Sequence, residues 1–256
     1  MIRLYEKDYH YLVRVRRLKS GASFDAILPG GKETRVRILS TVDNILIGEC
    51  LGAPELVSPE TRPASIPPIA LFQGLPKGTK MDLIVRQAAE AGVSLVAPFE
   101  TEYSAARPGN DSGGKQERWK RIVREARQQS GSVIETEILP LCSFDAVLDY
   151  WVSIKKKYRN PLGVLLHQEP LAKGSFHGYL DNCPDFAALA VGPEGGFSPR
   201  EVSLFLAAGW KPIVMGDTIL RTETAALYGA AVIRTLLLEN ETWTPRQTES
   251  CSSEFP

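Results

Sequence analysis

The residues from Ala187 to Glu201 constrain the chain more than any others. Ala187-Ala-Leu-Ala-Val191 is an unbroken apolar run, as expected of a strand buried on both faces. It stops at Gly192-Pro-Glu-Gly-Gly196, a turn holding three glycines and a proline. Ser198-Pro-Arg-Glu201 then supplies an N-cap serine, a proline at the first helical position and a glutamate three residues beyond the cap. The segment therefore reads as strand, glycine turn, helix. Glycines there either let backbone groups approach a ligand beside a helix N-terminus, or merely allow the positive φ that such a turn needs. Both roles stay open on the sequence alone.

The rest of the chain beyond residue 66 repeats this alternation. Ile69-Ala-Leu-Phe72 predicts a strand, and Thr79-Lys-Met-Asp82 resembles a capping box opening a helix whose apolar positions are Met81, Ile84, Val85 and Ala88. Val93 to Ala97 is the next strand, closed by Pro98. A helix from about Lys115 to Ser130 follows, with Trp119, Ile122, Val123 and Ala126 on one face and Arg118, Lys120, Arg121, Arg124 and Arg127 on the other. Phe144 to about Lys157 predicts a further helix, Leu162 to Leu166 a strand ending at His167, and Pro212 to Met215 the last strand. An Ala- and Leu-rich helix runs from Ala225 to Glu239. Strands alternating with helices imply a mostly parallel α/β sheet, whose ligands bind beyond the carboxyl ends of the strands. Three such ends, at His167, Gly192 and Gly216, carry loops able to converge.

The first 66 residues have a different texture. Phe24 to Leu28, Thr34 to Leu39 and Ile45 to Glu49 are short runs separated by turn signals at Pro29-Gly-Gly-Lys32 and Thr41-Val-Asp-Asn44, which predicts a small antiparallel β-barrel. Basic residues cluster in His10-Tyr-Leu-Val-Arg-Val-Arg-Arg-Leu-Lys19, where Arg14, Arg16 and Arg17 could meet phosphates or simply be solvated. Ala53 to Pro68, rich in proline, reads as the linker, and Thr242 to Pro256 as a disordered tail. Thirty basic and thirty acidic residues cancel, so any nucleic-acid surface must be local. Cys50, Cys142, Cys183 and Cys251 are widely spaced, and His10, His167 and His177 form no ligand cluster, so neither a disulfide framework nor a metal is expected. Without a signal-peptide core or a long apolar run, the expected location is the cytoplasm, with no membrane partner.

Gly192-Pro-Glu-Gly-Gly196 followed by Leu220-Arg-Thr-Glu-Thr-Ala-Ala-Leu227 resembles the signature of the SPOUT-class 16S ribosomal RNA (uridine-N3) methyltransferases. His10 to Leu18, Lys80-Met-Asp82, Glu90-Ala-Gly92 and Gln129-Ser-Gly131 resemble further family segments in the same order. The resemblance implies a PUA-like β-barrel over 1–66, a trefoil-knotted α/β methyltransferase domain over 67–241 and a tail over 242–256. It also implies a homodimer acting on small-subunit ribosomal RNA. S-adenosylmethionine would lie among Leu166, His167, Gly192, Pro193, Glu194, Gly195, Gly196, Met215, Gly216, Leu220, Thr224 and Ala225. RNA-binding candidates are Arg14, Arg16, Arg17, Lys80 and Arg86. The sequence departs from the family pattern at Tyr103, Ser132 and Asp217-Thr218, each of which stands where relatives carry an arginine.

Methylation of a uracil N3 requires loss of its proton and stabilisation of the resulting anion. Arg221 is the expected stabiliser, since a guanidinium stays protonated and offers fixed donors. Glu223 or Glu194 would orient it or accept the proton. Alternatively, Arg221 and Glu223 pair to cap the last helix. An enzyme of the same class acting on another RNA, or a non-catalytic RNA-binding protein on the same scaffold, are the competing readings. A dinucleotide-dependent oxidoreductase is disfavoured, because no G-x-G-x-x-G follows the first strand of the α/β region.

Overall fold

A computed structural model describes residues 1–27, 33–52, 66–104, 112–180 and 184–239. The chain divides into two compact units, Met1–Ser65 and Ile66–Pro256.

In the first unit, β1 (Ile2–Leu4), β2 (Ser23–Ile27), β3 (Glu33–Val42) and β4 (Ile45–Cys50) form an antiparallel sheet in the order β1-β4-β3-β2. Among the described residues β1 and β2 remain edges, so an open sheet stands where the hairpin pattern predicts a barrel. Alternate residues Val36, Ile38 and Leu46 point inward with Leu12 and Phe24 to make the core. The β3–β4 turn falls where expected. Asp43 and Asn44 both take positive φ (50° and 60°), the conformation whose twist suits a two-residue hairpin and which Asn and Asp tolerate. The other expected turn, Pro29 to Lys32, lies outside the described residues. Between β1 and β2 the chain forms a short helix α1 (Glu6–Tyr9) that continues as a π-helical segment, His10–Val15.

The second unit is built on six parallel strands: β5 (Ile69–Gly74), β6 (Leu95–Phe99), β7 (Glu137–Ile138), β8 (Pro161–Leu166), β9 (Phe186–Val191) and β10 (Lys211–Ile213). Their order is β10-β8-β9-β5-β6-β7. The central strands alternate between two apolar layers, which is why they read as continuous hydrophobic runs. Ile69, Leu71 and Leu189 face α2 (Lys80–Glu90), α3 (Ser112–Ser130) and α7 (Thr222–Glu239), whereas Ala70, Phe72, Ala188 and Ala190 face α4 (Phe144–Lys157) and α6 (Pro199–Ala207). A short helix α5 (Phe176–Leu180) precedes β9. No helix of the described residues is long and apolar enough to cross a membrane.

Several boundaries depart from the pattern. Pro98 lies inside β6 instead of ending it. Its carbonyl accepts from the Cys142 amide, so its missing N–H faces the edge beyond β7, where no ladder bond is needed. Thr79 precedes α2 but makes no capping bond, because its φ and ψ of −97° and 9° are not extended. Asp82 instead accepts from the Trp119 indole at 3.1 Å and pairs with Arg118. β10 stops at Ile213, leaving Val214 and Met215 in a loop, and α7 starts at Thr222, three residues before the Ala-rich run. The proline-rich segment 53–65 and the tail 240–256 lie outside the described residues.

Candidate active site

β5 and β9 pair side by side in mid-sheet from Ile69–Ala187 to Gln73–Val191, and the chain leaves them toward opposite sides, to β6 after β5 and to β10 after β9. This is the switch point at which open α/β sheets bind ligands. Gly192 to Gly196 closes on itself there. A Cβ on Gly192 would sit 2.9 Å from the Gly196 Cα, and Gly196 has a φ of +70°. The Gly196 amide donates to the Pro193 carbonyl at 2.9 Å. Pro193 in turn occupies the space a side chain on Gly74 would need, with its Cδ 2.6 Å from the Cβ position. Gly195 is pressed similarly against Tyr103. The glycines at 192 and 195 thus make room for protein, and the one at 196 supplies the turn's backbone conformation.

The serine cap read from the sequence is present in full. Ser198 Oγ accepts from the Glu201 amide at 3.2 Å, and the fully buried Glu201 accepts from the Ser198 amide at 2.8 Å and the Glu102 amide at 2.8 Å. The start of α6 is therefore satisfied by its own capping box, not held open for a ligand.

A buried network that sequence reasoning did not find holds the turn in place. Gln73, fully buried at the end of β5, donates from Nε2 to the Gly74 carbonyl at 2.8 Å and to Thr222 Oγ1 at 3.0 Å, with a longer contact of 3.4 Å to the Val191 carbonyl. Thr222, the first residue of α7, donates to the Gly192 carbonyl at 2.7 Å. One amide and one hydroxyl so tie β5, the glycine turn and the last helix together. The available signal was a lone glutamine ending an otherwise apolar strand just before a glycine.

These elements enclose a cleft of about 590 Å³, a size typical of small-molecule sites. Its walls come from three chain segments. Leu166 and His167 follow β8, Gly192 to Gly196 follow β9, and Met215, Gly216, Leu220, Arg221 and Ala225 run from the loop after β10 into α7. Lys80 closes one side from the start of α2. Of the residues expected around a cofactor, only Thr224 falls outside the lining, being exposed on α7. Asp217 and Thr218 also line the cleft. The His167 ring folds back on its own chain, with Nδ1 3.1 Å from the Glu169 amide.

The charged groups divide into two kinds. Lys80 Nζ is 2.6 Å from Glu194 and 3.8 Å from Glu223, and the Lys77 amide also donates to Glu194 at 3.2 Å. Burial works against the Glu194 charge, but the hydrogen bond from Lys80, backbone amides and the Lys80 charge outweigh it and hold the carboxyl below its usual range. Glu223 Oε2 is buried and receives no hydrogen bond, since 3.8 Å is too long for one. Arg221, by contrast, is exposed and makes no side-chain hydrogen bond or ion pair among the described residues, so the alternative of an Arg221–Glu223 cap is not what the structure forms. The cleft thus offers a backbone-rich floor with apolar flanks, one free guanidinium and one ammonium fixed by two carboxylates. Among the described residues no group of three or more His, Cys, Asp or Glu could hold a metal ion. Of the other basic candidates, Arg86 is exposed on α2, and Arg14, Arg16 and Arg17 are exposed in the first unit.

Comparison with known proteins gives a consistent result. Residues 63–234 match the RNA methyltransferase domain family. The chain is 33% identical over 239 residues to ribosomal RNA small subunit methyltransferase E of Synechocystis, covering 92% of this chain and 73% of that protein. It is 27% identical over 235 residues to the protein of the same name from Bacillus subtilis, covering 89% and 87%. The fold matches the crystal structure of ribosomal RNA small subunit methyltransferase E from Neisseria gonorrhoeae bound to S-adenosyl methionine, with a TM-score of 0.67 and 24% identity over 92% of this chain and 91% of that one.

Proposed function

The chain belongs to the RNA methyltransferase family of the ribosomal RNA small subunit methyltransferase E proteins, and from that premise we propose that it transfers the methyl group of S-adenosylmethionine to N3 of a uridine in small-subunit ribosomal RNA. The observation that carries this reading is the meeting of three loops, one of them bearing the unpaired Arg221, in a single cleft.

The residues present suit the cofactor. Leu166, Met215, Leu220 and Ala225 offer apolar contact for a flat nucleobase, and at Gly196 and Gly216, where nothing lies within 4 Å of the Cβ position, the main chain is open to close approach. When bound, S-adenosylmethionine supplies an electrophilic methyl group on a sulfonium, whose departure as a neutral thioether needs no metal. The protein's own task is to favour the uracil anion. Arg221 faces that charge with fixed donors. It lowers the pKa of the N3 proton, which passes to solvent, whereas the Lys80 charge is already met by Glu194 and Glu223. Glu194, held below its usual range, is a weak base. It and Glu223 act as positioning groups that fix Lys80.

The finer features follow the family. The C-terminal unit carries a trefoil knot, the first unit is PUA-like and presents Arg14, Arg16 and Arg17 to RNA along with Arg86 of α2, the working form is a homodimer, and a ribosomal substrate places the protein in the cytoplasm. The test is methyl transfer from labelled S-adenosylmethionine to unmodified small-subunit RNA in the presence of a metal chelator, with nucleoside mapping for 3-methyluridine. Arg221→Ala is expected to lower the rate about 100-fold or more, with cofactor affinity changed no more than a few fold. Unchanged turnover in that variant removes Arg221 from the chemistry.

A further inference from the structure

A base methylated on a ring nitrogen must turn its edge to the methyl donor, because the attacking electron pair of the N3 anion lies in the plane of the ring. Arg221 can meet that edge, but the faces of a base that has left its own stack need support of another kind. The aromatic rings at the cleft differ in how far they are already committed. Phe197 is 9% exposed and lies parallel to Phe99, with 8° between the rings. The His167 ring is turned onto the main chain of Glu169. Tyr103, beside the cleft, is 49% exposed, and neither its ring nor its hydroxyl makes a hydrogen bond or ring contact among the described residues.

The backbone around Tyr103 is held on both sides. In the turn from Thr101 to Ser104 that follows β6, the Ser104 amide donates to the Thr101 carbonyl at 3.0 Å. Ser104 Oγ accepts from the Thr101 amide at 3.1 Å and donates to the Leu75 carbonyl at 3.2 Å. The Glu102 amide donates to the fully buried Glu201 at 2.8 Å. Thr101 and Pro193 both press on Gly74, and Tyr103 lies against Gly195, where a Cβ would sit 2.9 Å from the Tyr103 Cβ and 3.5 Å from its Cγ. Gly195 itself lines the cleft. A glycine at 195 thus lets a fixed turn bring an uncommitted aromatic side chain to the rim. Tyr103 is also one of the departures from the family pattern, and a neutral ring in place of an arginine has a flat face to offer, not a charge.

We propose that Tyr103 stacks on one face of the uracil delivered to the cleft, and so holds its N3 edge toward the methyl donor and its carbonyl oxygens within reach of Arg221. Stacking on the tyrosine replaces part of the stacking that the base gives up when it is splayed out of the RNA. The inference rests on the proposed function and adds to it a base-orienting residue specific to this chain.

Methyl transfer from labelled S-adenosylmethionine to unmodified small-subunit RNA tests it, measured as kcat and RNA KM for the full chain and its Tyr103 variants, with cofactor affinity from calorimetric titration. Stacking orients a base after the RNA has bound, so Tyr103→Ala is expected to lower kcat about tenfold, the effect of one lost stacked base. RNA KM and cofactor affinity should stay within about twofold of the wild type. Tyr103→Phe and Tyr103→Trp keep a flat face and retain the wild-type kcat. Tyr103→Leu fills the space beside Gly195 without such a face, and its kcat falls with that of Tyr103→Ala. Circular dichroism confirms that each variant is folded, and if Tyr103→Ala is not, the comparison of Tyr103→Leu with Tyr103→Phe decides. Wild-type kcat in Tyr103→Leu, a loss in Tyr103→Phe as large as in Tyr103→Leu, or a fall in cofactor affinity equal to the fall in kcat, which simple packing on the glycine turn would give, overturns the proposal. A wild type that transfers no methyl group refutes the proposed function and takes this inference with it, whereas an active wild type with unaffected variants removes Tyr103 alone.

Discussion

Replacing Thr222 by valine keeps the shape of the side chain and removes only its hydroxyl. Two hydrogen bonds vanish: the 2.7 Å donation to the Gly192 carbonyl and the 3.0 Å bond received from Gln73. Gln73 keeps the Gly74 carbonyl at 2.8 Å, so its loss is partial. Thr222 is only 5% exposed, and a buried acceptor deprived of its donor costs about 1–3 kcal/mol. Taking about 2 kcal/mol, and about 2–4 °C of melting temperature per kcal/mol for a unit of this size, Thr222→Val should melt roughly 4–8 °C below the wild type. Because the lost bond anchors the glycine turn, cofactor binding should weaken as well, by about tenfold if some 1.4 kcal/mol of the loss falls on the bound state. Thermal melting with and without S-adenosylmethionine, together with calorimetric titration, measures both. Thr222→Ser, which keeps the hydroxyl, should retain wild-type cofactor affinity. A cycle combining Thr222→Val with Gln73→Leu should show coupling of about 1 kcal/mol. Full cofactor affinity in Thr222→Val, or strict additivity in the cycle, refutes the idea that this network sets the turn.

The glycine turn and the Lys80 cluster give two further expectations. Gly192→Ala, whose Cβ would meet the Gly196 main chain at 2.9 Å, should nearly abolish cofactor binding, whereas Gly196→Ala meets no atom within 4 Å and carries only the strain of its +70° φ, about 1 kcal/mol; equal effects of the two in calorimetric titration would contradict the described closure. Glu194 has a depressed folded pKa, so its contribution to stability is present above the unfolded value and is lost as pH falls through the folded one. Melting temperatures of the wild type and Glu194→Gln should therefore differ by a constant amount above about pH 5, beyond the ordinary glutamate value, and converge as the pH falls through the depressed folded value, and an offset that does not shrink on acidification would show that the charge is not responsible.

Much of the α/β unit was legible because its elements obey local rules. The apolar runs of β5, β8 and β9 and the helical spacing of α4 set their extents almost to the residue. Ser198 with Glu201 formed the cap that their spacing announced. Features defined by partners elsewhere were not legible. β7 is two residues long and exists through bonds to its neighbour, such as the Glu137 amide to the Ser94 carbonyl and the Leu139 amide to the Val96 carbonyl. Pro98 reads as a terminator, yet the sheet accepts it because its neighbours on that side, Leu139 and Cys142, donate to the Val96 and Pro98 carbonyls, and the ladder needs no N–H from residue 98. The cleft loops were found from their glycines and charged residues. What holds them was not, since Gln73 and Thr222 mean little until strand order brings them together. Family resemblance supplied the reaction, which the glycine turn alone left undetermined.

The Gln73–Thr222 bond spans 149 positions of the chain. A ribosome releasing this protein from its amino end exposes the first partner long before the second exists, so the cleft cannot close before α7 has been made. Any product that stops short of α7 carries the glycine turn but not the clasp that shapes it, and should therefore be unable to retain the methyl donor. Competence arrives in one step, once α7 is in place.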